Sequence, residues 1–361
     1  MISSSKARNS HSKNNGKRAN LDSIVAKALI TGANGFIGYH LAKLLNERGD
    51  RVTGMVRPTS NTSTLSSLEI ELVHGDVSDV ASLKRCFAGQ DVIYHLAGLT
   101  KANHQDDFRQ VNEAGAGNVA FAGKSAQSPP VIVNVSSLAA VGPAVAGQPK
   151  VETSPATPVS HYGRSKLSGE VTMRAFASDV PITIVRPPIV FGEADRAFLN
   201  IVRPISRIGL HTVPGYTDKL FSLIHAADLA TLLVATFEQG ERLADESEPI
   251  GQGIYFAEAE QRVTYGQLGL MIGTALEKRV RQLKLPHAAI WLAAGIAQWS
   301  TALTQRGRVP ALNLDKAREA TAGSWICSAE KAIAQFAFAP AQPLLERLRS
   351  TVDWYDSEGW I

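Results

Sequence analysis

The sequence predicts an α/β protein, a doubly wound parallel sheet with helices on both faces and a smaller C-terminal lobe interleaved with it. Three observations carry this expectation. Short apolar runs of strand character alternate with amphipathic segments across residues 25–192, the order that builds parallel strands joined by crossover helices. Most of these runs are apolar throughout, as strands covered on both faces must be. Residues able to do chemistry gather where the runs end, the edge at which open parallel sheets bind ligands.

The first run covers residues 25–30 and breaks at Thr31 into Gly32-Ala-Asn34-Gly35-Phe36-Ile37-Gly38. Ile37, Leu41, Leu44 and Leu45 then recur at helical spacing up to Arg48, with Gly49 as a stop signal. Glycines allow close backbone approach, and a helix N-terminus offers N–H groups and a positive dipole end, so this unit suits a pyrophosphate. A tight strand–helix turn without a ligand could use the same glycines, but the strand before and the helix after favour nucleotide binding. The Gly-x-x-Gly-x-x-Gly spacing has one residue more between its first two glycines than the common dinucleotide fingerprint.

Strand 51–56 follows and ends at Arg57-Pro58, and a polar loop over 59–67 leads to strand 70–73, closed by His74-Gly-Asp76. A short helix is expected over 80–87, a strand over 92–96 closed by Ala97-Gly98, and a helix over 108–122. Strand 131–135 ends at Ser136-Ser137, and a Pro/Gly-rich loop over 142–159 precedes a helix over 162–177. Strand 182–185 stops at Arg186-Pro-Pro188. Beyond Gly192 the pattern loosens into helices at 197–208, 227–238 and 343–355, an extended stretch at 220–225, and strands at 254–257 and 280–285. The expected organisation is a polar tail over 1–22, a nucleotide-binding unit over 23–192, and a substrate lobe over 193–361 with some segments returning to the first sheet.

Of the 361 residues, 44% are hydrophobic and 19% charged, ordinary for a globular protein. The net charge of +4 conceals an asymmetry. Lys6, Arg8, Lys13, Lys17 and Arg18 give residues 1–20 a charge of +5 with no acid, leaving −1 for the remainder. That tail is Ser/Asn-rich, lacks periodicity and is expected to be disordered, and the rest has no charge excess for nucleic acid. Cys86 and Cys327 lie far apart without metal-ligand spacing, so two buried thiols, no metal and a reducing, cytoplasmic setting are expected. The apolar stretch 288–303 is shorter than a membrane span and is interrupted by Gln298. A core or lid helix is the favoured reading, with peripheral membrane contact as the alternative.

Tyr162-Gly-Arg-Ser-Lys166 places a phenol and an ammonium at i and i+4, on one helix face. A tyrosine titrates near 10, so acid–base work near neutrality requires positive charge beside it. Such a pair could equally lie on a surface. Its position, opening the helix after the fifth strand with the Ser137 hydroxyl at that strand's end, favours a catalytic set.

The glycine triplet, Asp76, Tyr94-His-Leu-Ala-Gly98, Ser137, Tyr162-x-x-x-Lys166 and Arg186-Pro-Pro-Ile-Val-Phe-Gly192 occur in an order that resembles the extended short-chain dehydrogenase/reductases, from residue 26 onward. Within them the chain looks most like the 3β-hydroxysteroid dehydrogenase/dihydroflavonol reductase branch, often labelled NAD-dependent epimerase/dehydratase. The ending Val352-Asp-Trp-Tyr-Asp-Ser-Glu-Gly-Trp360 is similar to that branch too. The resemblance implies a Rossmann-type fold, with Tyr162 as acid–base, Lys166 lowering its pKa and holding the nicotinamide ribose, and Ser137 orienting the carbonyl or alcohol. Ser136 competes for the last role, but Ser137 has the family's place five residues before Gly142. Asn112 matches a family asparagine near the active site, with a solvated helix position as the alternative.

The same resemblance places a dinucleotide against Gly32, Asn34, Gly35, Phe36, Ile37, Gly38, Arg57, Asp76, Val77, Leu96, Ala97, Gly98, Val135, Pro187 and Ile189, besides Tyr162 and Lys166. Arg57 stands where an NAD-selecting fold usually carries an acid, and a guanidinium suits a 2′-phosphate, with Thr59 and Ser60 as further donors. NADP(H) is therefore favoured over NAD(H), although an arginine packed over adenine is also compatible with NAD. Asp76 is read as the adenine-amino acceptor or as a cap of the next helix.

Leu138-Ala139 replaces the Asp-Glu pair of the sugar-nucleotide dehydratases. Phe221 occupies the place where sugar-nucleotide enzymes tend to carry a diphosphate-binding arginine, although Lys219 or Arg196 could substitute for it. In the same segment, His225 is expected to be structural and Asp228 a helix cap. Thr100, Ser137 and Phe221 are expected to meet a neutral, hydrophobic small molecule. Expected activities are a secondary alcohol–ketone oxidoreductase, a sugar-nucleotide 4-epimerase retaining NAD, or a non-catalytic dinucleotide sensor. The intact Ser137, Tyr162 and Lys166 set speaks against the sensor. A homodimer is a further implication of the resemblance, with no specific nucleic-acid partner.

Overall fold

The computed structural model describes residues 25–145, 147–244, 250–259, 261–304, 309–310 and 312–361. The tail over 1–22, expected to be disordered, lies outside them. Strand β1 (Lys27–Thr31) enters α1 (Phe36–Arg48), and β2 (Arg51–Val56) and β3 (Glu71–His74) follow. Helix α2 (Val80–Phe87) leads to β4 (Val92–His95). Helix α3 (Gln105–Phe108) continues through a π-helical stretch, Arg109–Ala114, into α4 (Gly115–Lys124). Then come β5 (Val131–Val135), α5 (His161–Arg174), β6 (Ile182–Arg186), β7 (Ile189–Phe191), α6 (Leu199–Ile208) and β8 (Leu210–Pro214). Short strands β9 (Leu220–Phe221) and β10 (Leu223–His225) precede α7 (Ala226–Gln239), β11 (Ile254–Phe256) and β12 (Val263–Thr264). The chain closes with α8 (Tyr265–Ala275), β13 (Arg281–Leu285), α9 (His287–Thr304), α10 (Leu314–Thr321), α11 (Glu330–Phe336) and α12 (Leu344–Ser357).

Seven parallel strands form the main sheet in the order β11-β6-β5-β4-β1-β2-β3. This is the Rossmann-type sheet extended by β11, which pairs Ile254 with Ile184 of β6. One face is covered by α1 and α7, whose Leu41, Leu45, Leu229 and Leu233 bury against β1, β4 and β5. On the other, Leu83 of α2, Val119 of α4 and Met173 of α5 pack on Leu29, Ile93 and Ile132. A separate core joins α6, α8 and α12 through Phe198, Val202, Leu268, Ile272, Leu348 and Tyr355. The stretch expected to be extended over 220–225 splits at Ser222 into β9 and β10, which join β12 and β7 respectively.

Two expectations are corrected by burial. Cys327 is buried, but Cys86 is only partly so. The core-helix reading of 288–303 fails, because α9 buries Ile290 and Ala294 while Leu292, Ile296 and Trp299 stand exposed. Among the described residues, its inner stripe packs on Ala317 of α10 and on Leu285, Leu312 and Leu314.

Candidate active site

Strand order reverses between β1 and β4, and the crevice beyond their C-terminal ends is where such sheets take ligands. Thr31, the last residue of β1, ties the two ends together. Its Oγ1 accepts the amides of Leu96 (3.2 Å) and Ala97 (3.1 Å) and lies 2.8 Å from His95 Nδ1. Burial, with the Lys166 charge adding to it, pushes His95 down to about 3, so the imidazole is neutral. Thr31 therefore donates its one proton to Nδ1 and accepts both amides.

Gly32, at φ 71°, sits where a Cβ would lie 3.0 Å from the Ala97 backbone. A Cβ on Gly38 would run into the Gly32 carbonyl and Ala33, so strand and helix meet there without a side chain. Gly35 caps α1 with no side-chain hydrogen bond, and the first turn carries no acid. The N–H groups and positive dipole end of α1 are thus left without a side-chain cap or a neighbouring acid, an arrangement suited to an anion such as a pyrophosphate. Asn34, beside them, donates to the Asn61 carbonyl (3.2 Å). Phe36 and Ile37 open the helix, Ile37 against the core.

Arg57 is exposed at the end of β2, in a turn closed by Ser60, whose N–H donates to the Arg57 carbonyl (2.9 Å). Asp76 accepts the Ser78 amide and hydroxyl, both at 2.8 Å. The backbone bond foremost, then the hydroxyl and the Arg57 charge, hold its carboxyl below the usual range against the opposing effect of burial. The cap of α2 is Asp79, which accepts the Ala81 amide, so the capping alternative for Asp76 is set aside. Val77 is buried, and its carbonyl accepts Asn118 Nδ2 (2.9 Å).

Ser137 follows β5 in extended conformation, with Oγ accepting the Ala139 amide (3.1 Å). Pro187 holds the same turn by accepting the Leu138 amide (2.8 Å), and the partly buried Ile189 packs beside it. Helix α5 starts with Ser160 as its cap, bound to Gly163 N–H at 2.9 Å. Lys166, one turn beyond Tyr162, donates to the Val135 carbonyl (2.7 Å). Burial pushes this amine down to about 8, opposed by the Glu170 charge. Glu170 is itself paired with buried Arg186 through contacts of 2.5 and 3.0 Å.

The cation at the phenol is not the expected one. Lys166 is drawn to the Val135 carbonyl, whereas Lys316 of α10 lies 4.9 Å from the centre of the Tyr162 ring. Burial raises the phenol pKa, and the Lys316 charge and then the Ser137 hydroxyl oppose that rise. Glu319 holds Lys316 at 2.7 Å and accepts the Ser160 hydroxyl at 2.7 Å. Asp315 accepts the amides of His161 (2.7 Å) and Tyr162 (3.1 Å), so α10 clamps the start of α5. Local sequence has no signal for this clamp. Removing the charge by Lys316→Met should move the acidic, ascending limb of alcohol oxidation, below which the needed phenolate is protonated, to higher pH, and Lys316→Arg should leave it in place. A pH–rate profile that does not move would assign Lys316 a packing role only.

Asn112 is buried, which overturns its solvated alternative. Its Oδ1 accepts the Leu99 amide (2.8 Å), and its Nδ2 donates to the Leu99 carbonyl and Ser165 Oγ, both at 2.9 Å. It lies in the π-helical stretch, a distortion frequent at functional sites. Gly98 brings the groups together, since a Cβ there would lie 3.1 Å from Asn112 Oδ1 and 3.7 Å from Lys166 Nζ. Leu96 and Ala97 are partly buried and Thr100 is exposed beyond them.

Phe221 is buried against Tyr265, with ring centres 5.8 Å apart, and belongs to the second core more than to an open wall. Both cations that could replace the absent arginine are engaged: Lys219 donates to the Ala320 carbonyl (3.3 Å), and Arg196 lies over the Trp360 ring (5.0 Å). His225 caps α7 through Nδ1. Asp228 is not the cap, because Arg347 of α12 holds its carboxylate from two sides.

The glycine turn and the convergent serine, tyrosine and lysine define a dinucleotide-dependent, oxidoreductase-type enzyme. The chain belongs to the NAD dependent epimerase/dehydratase family, whose pattern it matches over residues 28–248. It is similar to the ceramide reductase of Caulobacter vibrioides, 31% identical over 338 residues that cover 92% of this chain and 95% of the relative. A putative dihydroflavonol 4-reductase of Synechocystis is 24% identical over 92% of this chain and 95% of its own length. In fold, the chain resembles the Thermus thermophilus UDP-glucose 4-epimerase solved with NAD, with a TM-score of 0.70, 18% identity, and coverage of 91% of this chain and 98% of that one.

Proposed function

We propose that this chain interconverts a secondary alcohol and a ketone on a hydrophobic small molecule, with NADP(H) preferred, and that residues 193–361 form mainly the substrate lobe. The carrying observation is the convergence of Ser137, Tyr162 and Lys166 at the carboxyl edge of the sheet, beside an uncapped glycine-turn helix. A bound nicotinamide supplies or accepts the hydride. Tyr162 passes the proton to or from the substrate oxygen, and Ser137 orients that oxygen. Lys166 holds the nicotinamide ribose, while Asn112 fixes the Leu99 turn and Ser165 beneath it.

A hydrophobic substrate is supported by the apolar cluster against which Tyr162 packs, which includes Leu138 and is flanked by Val159 and Ile189. The engagement of Lys219 and Arg196, and the relative acting on ceramide, point the same way. Sterol, long-chain keto-lipid and sugar-nucleotide substrates, followed by nicotinamide absorbance, test the reading. Net cofactor turnover with a lipophilic ketone is expected, whereas epimer formation without net cofactor change would replace it with the epimerase.

The NADP(H) preference rests on Arg57, exposed where an acid would contact a 2′-hydroxyl. Arg57→Ala should weaken NADP(H) about ten- to a hundredfold, the loss of a charge-assisted contact, and leave NAD(H) nearly unchanged. Equal losses in a fluorescence titration of the two cofactors would remove the 2′-phosphate role.

A further inference from the structure

Helix α9 has an inverted amphipathicity. Ile290 and Ala294 face the protein at 7% and 0% exposure. Leu292, Ile296 and Trp299 are spaced i, i+4 and i+7, share the opposite side, and are 66%, 57% and 67% exposed. A surface helix normally turns polar residues outward. Here the eighteen residues contain no Asp, Glu, Lys or Arg. Trp291, 36% exposed at the flank of the stripe, lies 6.0 Å from the Arg318 guanidinium.

Charge is concentrated immediately before this helix. Residues 278–284 hold Lys278, Arg279, Arg281 and Lys284, and Glu277 is the only acid from 277 to 304. Arg279, Arg281 and Lys284 are exposed, as is Leu283 between the last two. Tyr216 is also exposed, in the turn whose Gly215 abuts His287 at the start of α9. An uncharged apolar stripe with tryptophans, entered from a cationic strand, complements a bilayer interface with anionic headgroups. No helix among the described residues is long and apolar enough to cross a membrane.

From the outward stripe and its cationic approach, we infer that α9 docks in the plane of an anionic lipid surface. Leu292, Ile296 and Trp299 enter the acyl boundary, while Arg279, Arg281 and Lys284 meet the headgroups. A second copy of the chain would bring two cationic strands together, which disfavours that occupant. The inference does not depend on the substrate, because docking is measured without turnover.

The full-length chain is mixed with vesicles of phosphatidylcholine alone or mixed equally with phosphatidylglycerol, and floated. Binding to the anionic vesicles, with quenching of tryptophan emission by lipids brominated in their acyl chains, is expected. The exposed triple variant Leu292→Ser, Ile296→Ser and Trp299→Ser should lose at least about tenfold in partitioning, and Arg281→Glu with Lys284→Glu should lose the preference for anionic lipid. Both variants keep the basic tail over residues 1–20. Undiminished binding by the triple variant would assign the attraction to that tail and overturn the inference, as would wild-type binding without quenching. If wild type is a dimer that the triple variant dissolves, and neither binds vesicles, a second copy covers α9 and the inference falls.

Discussion

Replacing Tyr162 by phenylalanine is expected to lower kcat by about two to four orders of magnitude, the usual contribution of a positioned acid–base group. The ring contacts survive in this variant, since Phe108 packs at 6.2 Å between centres and Lys316 lies 4.9 Å from the ring centre. Only the hydroxyl, and its interaction with Ser137, is removed. Dinucleotide affinity should stay within about twofold, because the glycine turn and Lys166 are untouched. The measurement is steady-state turnover of any ketone or alcohol the wild type accepts, alongside a cofactor titration. Turnover at the wild-type level would remove Tyr162 from the mechanism.

The second large effect concerns stability. Glu170→Ala should cost about 3–5 kcal/mol, because it leaves the Arg186 guanidinium buried without its counter-charge. Arg186 and Glu170 have side chains only 6% and 5% exposed, so water cannot replace the lost partner. The double change Glu170→Met and Arg186→Met should recover most of the loss, since two apolar side chains remove both charges. Chemical denaturation of wild type and the two variants checks this, and an unchanged midpoint for Glu170→Ala would show that the site relaxes around the charge. Glu170 also raises the Lys166 pKa. The single variant should therefore carry less positive charge at Lys166 near neutral pH than wild type does.

The parts legible in the sequence are those whose causes are local. The glycine turn announces itself because Gly32, Gly35 and Gly38 act within seven residues, and Tyr162 and Lys166 share a face by helical period alone. Six strands of the sheet follow from apolar runs that are largely buried, whereas the edge strand β3 exposes Glu71, Leu72 and His74. What escaped reading depends on distant partners. Thr31 owes its role to amides 65 and 66 residues away. Asn112 itself is legible, but its partners Leu99 and Ser165, 13 and 53 positions away, are not. Lys316 reaches Tyr162 across 154 positions, and no window around either residue contains the other. Helix α9 departs from the core reading for another reason, since an apolar period says which residues share a face and nothing about what that face meets.

The clamp that α10 places on α5 has a consequence for the history of each chain. The first amides of α5 end on a carboxylate synthesised 153 residues after Tyr162. By then all seven strands of the dinucleotide sheet have been made, the last of them ending at Phe256. All seven strands can therefore be present while Tyr162 still lacks its final support, although Ala332 and Phe338 of their core follow later still. The support that α10 gives Tyr162 is thus synthesised after every strand of the sheet.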